Sequence, residues 1–229
     1  MNIEIQQRGA FGSALVTLEP GESFVSESGA MFRASDNIDF DVTTRSRGKG
    51  GLLSGLKRML GGDSFFLSTY RCRDDSPGEV GLAPTLQGEV RIVPVDRSTP
   101  WLCAGGSYLG SSPELELDTQ FQGFKGLLSG ERLFFMKVTG HGDLLVNAFG
   151  RITELEVQDR MIVDTGHVVA FEEGIDYRIT KAGKSWLSSM TAGEGFVLEI
   201  NGRGKVLVQS HNPKEFGTAL GKRLPPRKN

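Results

Sequence analysis

The chain has 229 residues, 38% of them hydrophobic by type, and its 26 Lys and Arg against 28 Asp and Glu leave a formal net charge of −2. That length supports a substantial core. The balanced charge argues against a nucleic-acid footprint, and the mixing of charged with apolar residues argues against wholesale disorder.

In chain order, Ile3-Glu4-Ile5 and Ala14-Leu15-Val16-Thr17-Leu18 alternate as the two arms of a hairpin, with Gly9 and Gly12 at its turn. Further strands are expected near 23–33, 38–44, 64–71, 79–84 and 88–95, then near 101–109, 114–119, 131–138 and 142–148. A last set is expected near 151–157, 161–171, 175–180, 195–200 and 204–210. Thirty-one glycines and nine prolines suit the many tight turns such a series needs. Helical pattern is scarce. Asn212 as N-cap with Pro213 at the first helical position predicts a short helix to Leu220, and 221–229 reads as a flexible basic tail.

Three stretches copy one another. Residues 29–40, 106–117 and 166–177 each run Gly-x-aromatic/aliphatic, a loose polar middle, and an aliphatic–acid–apolar finish. Downstream, Gly62-Asp63, Gly130-Glu131 and Gly193-Glu194 each precede an apolar strand, and a tight turn follows each: Pro77-Gly78, Gly140-His141-Gly142 and Gly202-Arg203-Gly204. Another matched pair, 88–95 and 150–157, launches a strand into the next copy. The expectation is an all-β fold, an antiparallel β-sandwich of double-stranded β-helix-like units, internally triplicated, with short helical segments. Residues 1–220 form a single domain of three units, about 3–95, 96–157 and 158–210, as small sheets about a shared core.

Internal copies also serve as a control, because a catalytic residue should break the pattern that structural residues repeat. His141, His167 and His211 lie far apart, without the convergent spacing a metal site needs. No Gly-x-Ser-x-Gly word is present. Cys72 and Cys103 belong to no C-x-x-C pair and fit buried thiols in a reducing compartment better than a disulfide. The glycine turns around His141 and Arg203 open strands rather than helices, so they read as hairpins and not as phosphate loops. Asp39, Glu116 and Asp176 recur at one position of the copies. They form either a cation-binding ring or, as the alternation favours, solvent-facing acids.

The segment 51–62 carries more interest. Leu52, Leu53, Leu56, Met59 and Leu60 fall on one helical face, with Lys57 and Arg58 beside them, and Gly-Leu-Leu-Ser-Gly recurs at 126–130. Such a face packs within the protein or its oligomer, lies on an anionic membrane surface, or docks a partner. Leu52, Leu53, Leu56, Lys57, Arg58, Met59 and Leu60 are the candidate contact residues.

That repeated word before a Gly-acid-Phe strand, together with the three copies, resembles a family of bacterial proteins named for altered inheritance of mitochondria. The likeness runs from Ile3 to about Leu220. The family is grouped with the tryptophan RNA-binding attenuation protein-like superfamily. The resemblance implies stacked antiparallel sheets and an oligomer. Its eukaryotic members are mitochondrial and tied to inner-membrane organisation, and its bacterial members lack an assigned biochemical activity. The attenuation protein's tryptophan and RNA sites find no matching motif here.

The expectation is therefore a non-enzymatic, self-associating scaffold or binding protein without cofactor or metal, a homo-oligomer with a trimer favoured. Its N-terminus shows no apolar signal core and no run is long enough to span a bilayer, so a cytoplasmic place is expected. The alternative is a small-ligand-binding protein or enzyme whose pocket forms between repeats or subunits. RNA binding by analogy is a third reading.

Overall fold

In the computed structural model the described residues are 1–7, 9, 11–43, 66–73, 75–120, 135–181 and 196–225. The chain opens with β1 (Asn2–Gln6) and β2 (Ser13–Leu18). Six strands follow: β3 (Ser23–Glu27), β4 (Met31–Ala34), β5 (Ile38–Thr43), β6 (Leu67–Cys72), β7 (Gly78–Leu82) and β8 (Val90–Val95). Six more are β9 (Trp101–Ala104), β10 (Tyr108–Ser111), β11 (Glu116–Gln120), β12 (Phe135–Thr139), β13 (Gly142–Asn147) and β14 (Ile152–Val157). The last are β15 (Arg160–Asp164), β16 (Val168–Glu172), β17 (Asp176–Lys181), β18 (Phe196–Asn201) and β19 (Gly204–Gln209), closed by helix α1 (Pro213–Gly221).

Among the described residues all the strand pairs are antiparallel and form four sheets. Their orders are β1-β2-β7-β4, β5-β6-β3-β10-β13-β8, β11-β12-β9-β16-β19-β14 and β15-β18-β17. The fold is an all-β sandwich with more than two layers. Instead of the one shared core expected, the described residues form three apolar clusters, one between each pair of successive sheets. The first joins Val16, Leu18 and Val80 of the first sheet to Phe24, Tyr70 and Leu145 of the second. The second joins Leu144 and Val146 to Cys103, Met136 and Leu207. The third joins Leu102, Phe135 and Phe171 to Leu198 and Ile200 of the last sheet.

Side-chain alternation explains this layering. Along β2, half-buried and buried residues alternate strictly, as they must when one strand face meets a core and the other meets water. Along β13, Leu144, Leu145 and Val146 are all fully buried. Their side chains enter the second, first and second clusters in turn, so the inner sheets read as continuous apolar runs. Each fully buried Leu or Phe there contributes about 1.5–3 kcal/mol.

The expected strands 23–33, 101–109 and 161–171 are each two strands. A joint at Gly29, at Gly105–Ser107 and at Thr165–His167 sends the chain from one sheet to its neighbour. Gly29 needs its glycine, with φ +96°. The other two joints are single 3₁₀ turns. After each joint the next strand carries the same irregularity. Met31 pairs Leu82 and Arg33 pairs Gly81, Tyr108 pairs Val146 and Gly110 pairs Leu145, Val168 pairs Val208 and Ala170 pairs Leu207. One extra residue (Phe32, Leu109 or Val169) is inserted each time, a β-bulge. Sequence alternation continues smoothly through the joints, so it does not mark them.

The matched stretches 88–95 and 150–157 touch through a parallel bridge between Gly88 and Gly150. Helix α1 starts as expected, with the Asn212 side chain accepting from Lys214 N at 3.0 Å and Glu215 N at 3.3 Å.

Candidate self-association surface

Among the described residues each sheet ends in two strands with an unpaired edge, and β4 and β15 are two of these. β4 pairs with β7 and ends the first sheet, and β15 pairs with β18 and ends the last. Apolar side chains surface beside both. Phe32 on β4 is 55% exposed, Phe40 and Val42 on β5 are 59% and 54% exposed, and Ile162 on β15 is 56% exposed. Phe32 lies against Gly81, where a Cβ would meet its ring at 2.7 Å. Aromatic and aliphatic side chains held in water beside open backbone donors and acceptors are the signature of an interaction surface.

Charged groups rim these edges. Arg33 Nη1 meets Glu79 Oε2 at 2.9 Å across β4 and β7. On the last sheet, Arg178 Nε donates to Glu199 Oε2 at 2.7 Å, and Arg160 Nη2 stands 3.4 Å from the same oxygen. The Arg178 hydrogen bond holds the Glu199 carboxyl below the usual carboxylate range against its partial desolvation. Exposed pairs of this kind contribute about 0–1 kcal/mol each and mainly orient their partners.

The molecule also holds two sealed hydroxyl pairs, one with Tyr70 in the first apolar cluster and one with Tyr108 in the second. Ser26 and Tyr70 hydroxyls lie 3.1 Å apart, and Tyr108 and Ser111 hydroxyls lie 2.9 Å apart. All four residues are at most 1% exposed. Burial raises the Cys103 thiol and the Tyr108 phenol far above their ordinary values, with the Glu27 charge adding to both. Burial also raises the Glu27 carboxyl. A thiol raised in this way holds almost no thiolate at neutral pH, and the thiolate is the nucleophile. The polarity of both hydroxyl pairs is spent on internal hydrogen bonds.

The other sequence candidates stay apart. His141 is exposed in the β12–β13 turn. His167 Nδ1 bonds the Gln209 carbonyl at 2.7 Å, and His211 Nδ1 meets Ser210 Oγ at 2.8 Å while its ring packs on Phe149. Cys72 and Cys103 are both buried and are not joined to each other. Asp39, Glu116 and Asp176 are exposed on three different sheets. No group of three potential metal ligands occurs among the described residues. The glycine turns are hairpins: Gly140 and Gly142 have φ +116° and +154°, Gly202 and Gly204 +122° and +156°. Leu52, Leu53, Leu56, Lys57, Arg58, Met59 and Leu60, and the related 126–130, lie outside the described residues.

The surface at Phe32, Phe40, Val42 and Ile162 was not legible beforehand. Sequence alternation assigns a side chain to one face or the other, but not what lies over that face.

Residues 3–211 match the family model described as mitochondrial biogenesis AIM24. The chain belongs to that family. An uncharacterised relative, M6_Spy0233 of Streptococcus pyogenes serotype M6, is 29% identical over 235 residues, spanning 100% of this chain and 93% of the relative. The crystal structure of protein SPYM3_0169 from Streptococcus pyogenes superposes with a TM-score of 0.81 at 27% identity, covering 97% of this chain and 99% of that one. The AIM24 family assignment thus spans the layered sheets as a whole. Among the described residues no helix is long and apolar enough to cross a membrane.

Proposed function

We propose that this AIM24-family chain is a non-enzymatic, self-assembling β scaffold built from three related units. The single observation that carries the reading is the exposure of Phe32, Phe40 and Val42 at one end of the layered sheets and of Ile162 at the other. Closed self-association hides such surfaces. Three copies form the favoured assembly. Two scattered cysteines that are not joined to each other support a reducing, cytoplasmic setting. Grouping with the tryptophan RNA-binding attenuation protein-like superfamily belongs to the same proposal and is supported by the sequence resemblance.

The scaffold's contact with other components is assigned to the 51–62 segment, whose Leu52, Leu56 and Met59 stand beside Lys57 and Arg58. Several such segments on one oligomer bind an anionic membrane together where one would bind weakly. Native mass spectrometry tests the assembly and reports any co-purified ligand. A trimer without ligand is expected, and a monomer, or a stoichiometric small molecule, defeats the scaffold reading. Flotation with anionic vesicles tests the contact. Binding that weakens at high salt and is lost in the triple serine variant of Leu52, Leu56 and Met59 is expected, and indifference to vesicles at low salt defeats it.

A further inference from the structure

The two inner sheets share one plan. In the second sheet, β5-β6-β3 is joined to β10-β13-β8, and in the third, β11-β12-β9 is joined to β16-β19-β14. Each is therefore a three-strand half, ending in the strand before a joint, paired to a half that begins with the strand after the next joint. The last sheet, β15-β18-β17, is the first kind of half on its own. In the first sheet, β4-β7-β2 is the second kind, with β1 added. The protein carries the two pieces of one further sheet at opposite ends of its layers, two complete sheets apart, so they cannot meet within one copy.

Resting on the self-assembly reading above, we propose that β15 of one copy pairs with β4 of the next, head to tail, and completes this divided sheet. The two internal seams set the register. Gly110 pairs Ser26 and Ser111 pairs Val25 at the first seam, and Ala170 pairs Cys103 and Phe171 pairs Leu102 at the second. The joints at Gly29, Gly106 and Gly166 align the three copies, so Arg33 pairs Val163 of the next copy and Ala34 pairs Ile162. The bulge on β4 does not obstruct this, because β10 and β16 carry the same bulge and are paired.

Burial supports the same match. Phe32 stands where β10 has Leu109 and β16 has Val169, both fully buried. Ile162 stands where β9 has Leu102, which is 1% exposed. Phe40 stands where β17 has Tyr177, whose ring meets Phe135 at 6.0 Å and Phe171 at 5.0 Å. Phe135 belongs to the half-sheet that has no counterpart over Phe40 within one copy. The apolar side chains left in water at the two ends are those that an internal seam covers, which matches a second copy of this chain better than any unrelated partner.

Cross-linking through engineered cysteines tests the seam. Directly opposed residues of an antiparallel pair have Cα atoms about 4.5–5.5 Å apart, within disulfide reach, and the native thiols are buried. Ala34→Cys and Ile162→Cys, made as separate proteins, are expected to give no covalent dimer alone and disulfide-linked dimers when mixed and oxidised. In parallel, Ile162→Lys should keep the wild-type circular dichroism and lose the oligomer. A wild-type monomer would overturn both the seam and the scaffold reading. An oligomer in which the mixed cysteines fail to link, or in which either variant links to itself, overturns the head-to-tail seam and leaves self-assembly standing.

Discussion

Ser26 and Tyr70 lie diagonally across β3 and β6 with their hydroxyl oxygens 3.1 Å apart, in a core closed to water. Ser26 Oγ donates its one proton to the Glu27 carbonyl at 2.8 Å, so the Tyr70 hydroxyl is the donor of the pair. That asymmetry separates two mutations. Ser26→Ala strands a buried O–H donor and is expected to cost about 1–3 kcal/mol, whereas Tyr70→Phe removes the donor itself and is expected to cost about 1 kcal/mol. Urea unfolding of both variants measures the order, and a larger loss for Tyr70→Phe would contradict the donor assignment.

Glu27 makes stability depend on pH. Burial raises its carboxyl above the ordinary value, so the folded chain holds that proton to higher pH than the unfolded chain. Its contribution therefore becomes unfavourable as pH climbs from the unfolded value, about 4.3, through the raised folded value. Glu27→Gln should be more stable than wild type at neutral pH, with the advantage vanishing below about pH 4. Denaturant midpoints across that window decide it, and an unchanged pH slope rejects the account.

Gly88 and Gly217 predict opposite outcomes for one substitution. A Cβ at Gly88 would overlap the Ala148 carbonyl oxygen, part of a backbone crossing that cannot give way. Gly217 lies in α1 with nothing within 4 Å. Gly88→Ala should destabilise by about 1–3 kcal/mol or prevent folding, while Gly217→Ala should stabilise the helix by about 0.5–1 kcal/mol. Thermal melts of the two variants measure both signs.

Asn212 ties α1 to the sheets. Besides capping the helix, its Nδ2 donates to Asp164 Oδ1 at 3.3 Å. Asn212→Ala should cost about 1 kcal/mol and speed amide exchange at Lys214 and Glu215, the two N–H groups it caps. Asn212→Asp keeps the cap acceptor but places a carboxylate beside Asp164, so it should restore slow exchange with less than full stability. Hydrogen exchange followed by NMR distinguishes the two.

The strand class, the hairpin glycines and the Asn212 cap were legible because each is a local matter, settled by neighbours in sequence. The partition into four sheets was not. At Ser28-Gly29-Ala30 the alternation runs on while the chain changes sheets, since β3 and β4 both need alternate apolar residues. Continuous apolar words such as Trp101-Leu102-Cys103 and Leu144-Leu145-Val146 were the available sign of two-sided burial. The Ser26–Tyr70 pair was hidden for a different reason. Both look like ordinary strand residues until β3 and β6, distant in sequence, bring their hydroxyls together. Phe32, Phe40, Val42 and Ile162 look like core residues, and only the position of β4, β5 and β15 at sheet ends explains why they are not.

The pairing of strands distant in sequence also dictates an order of closure during synthesis. Val16 of β2 has no sheet partner on its far side until Val80 has been made, Val93 of β8 waits for Leu144, and Leu155 of β14 waits for Val206. Every emerging portion of the chain is therefore a strand short of its next closure, and pairings so distant form slowly. On the ribosome the nascent protein spends most of its translation with an unfinished apolar sheet in view, and the last closure comes only when β19 emerges.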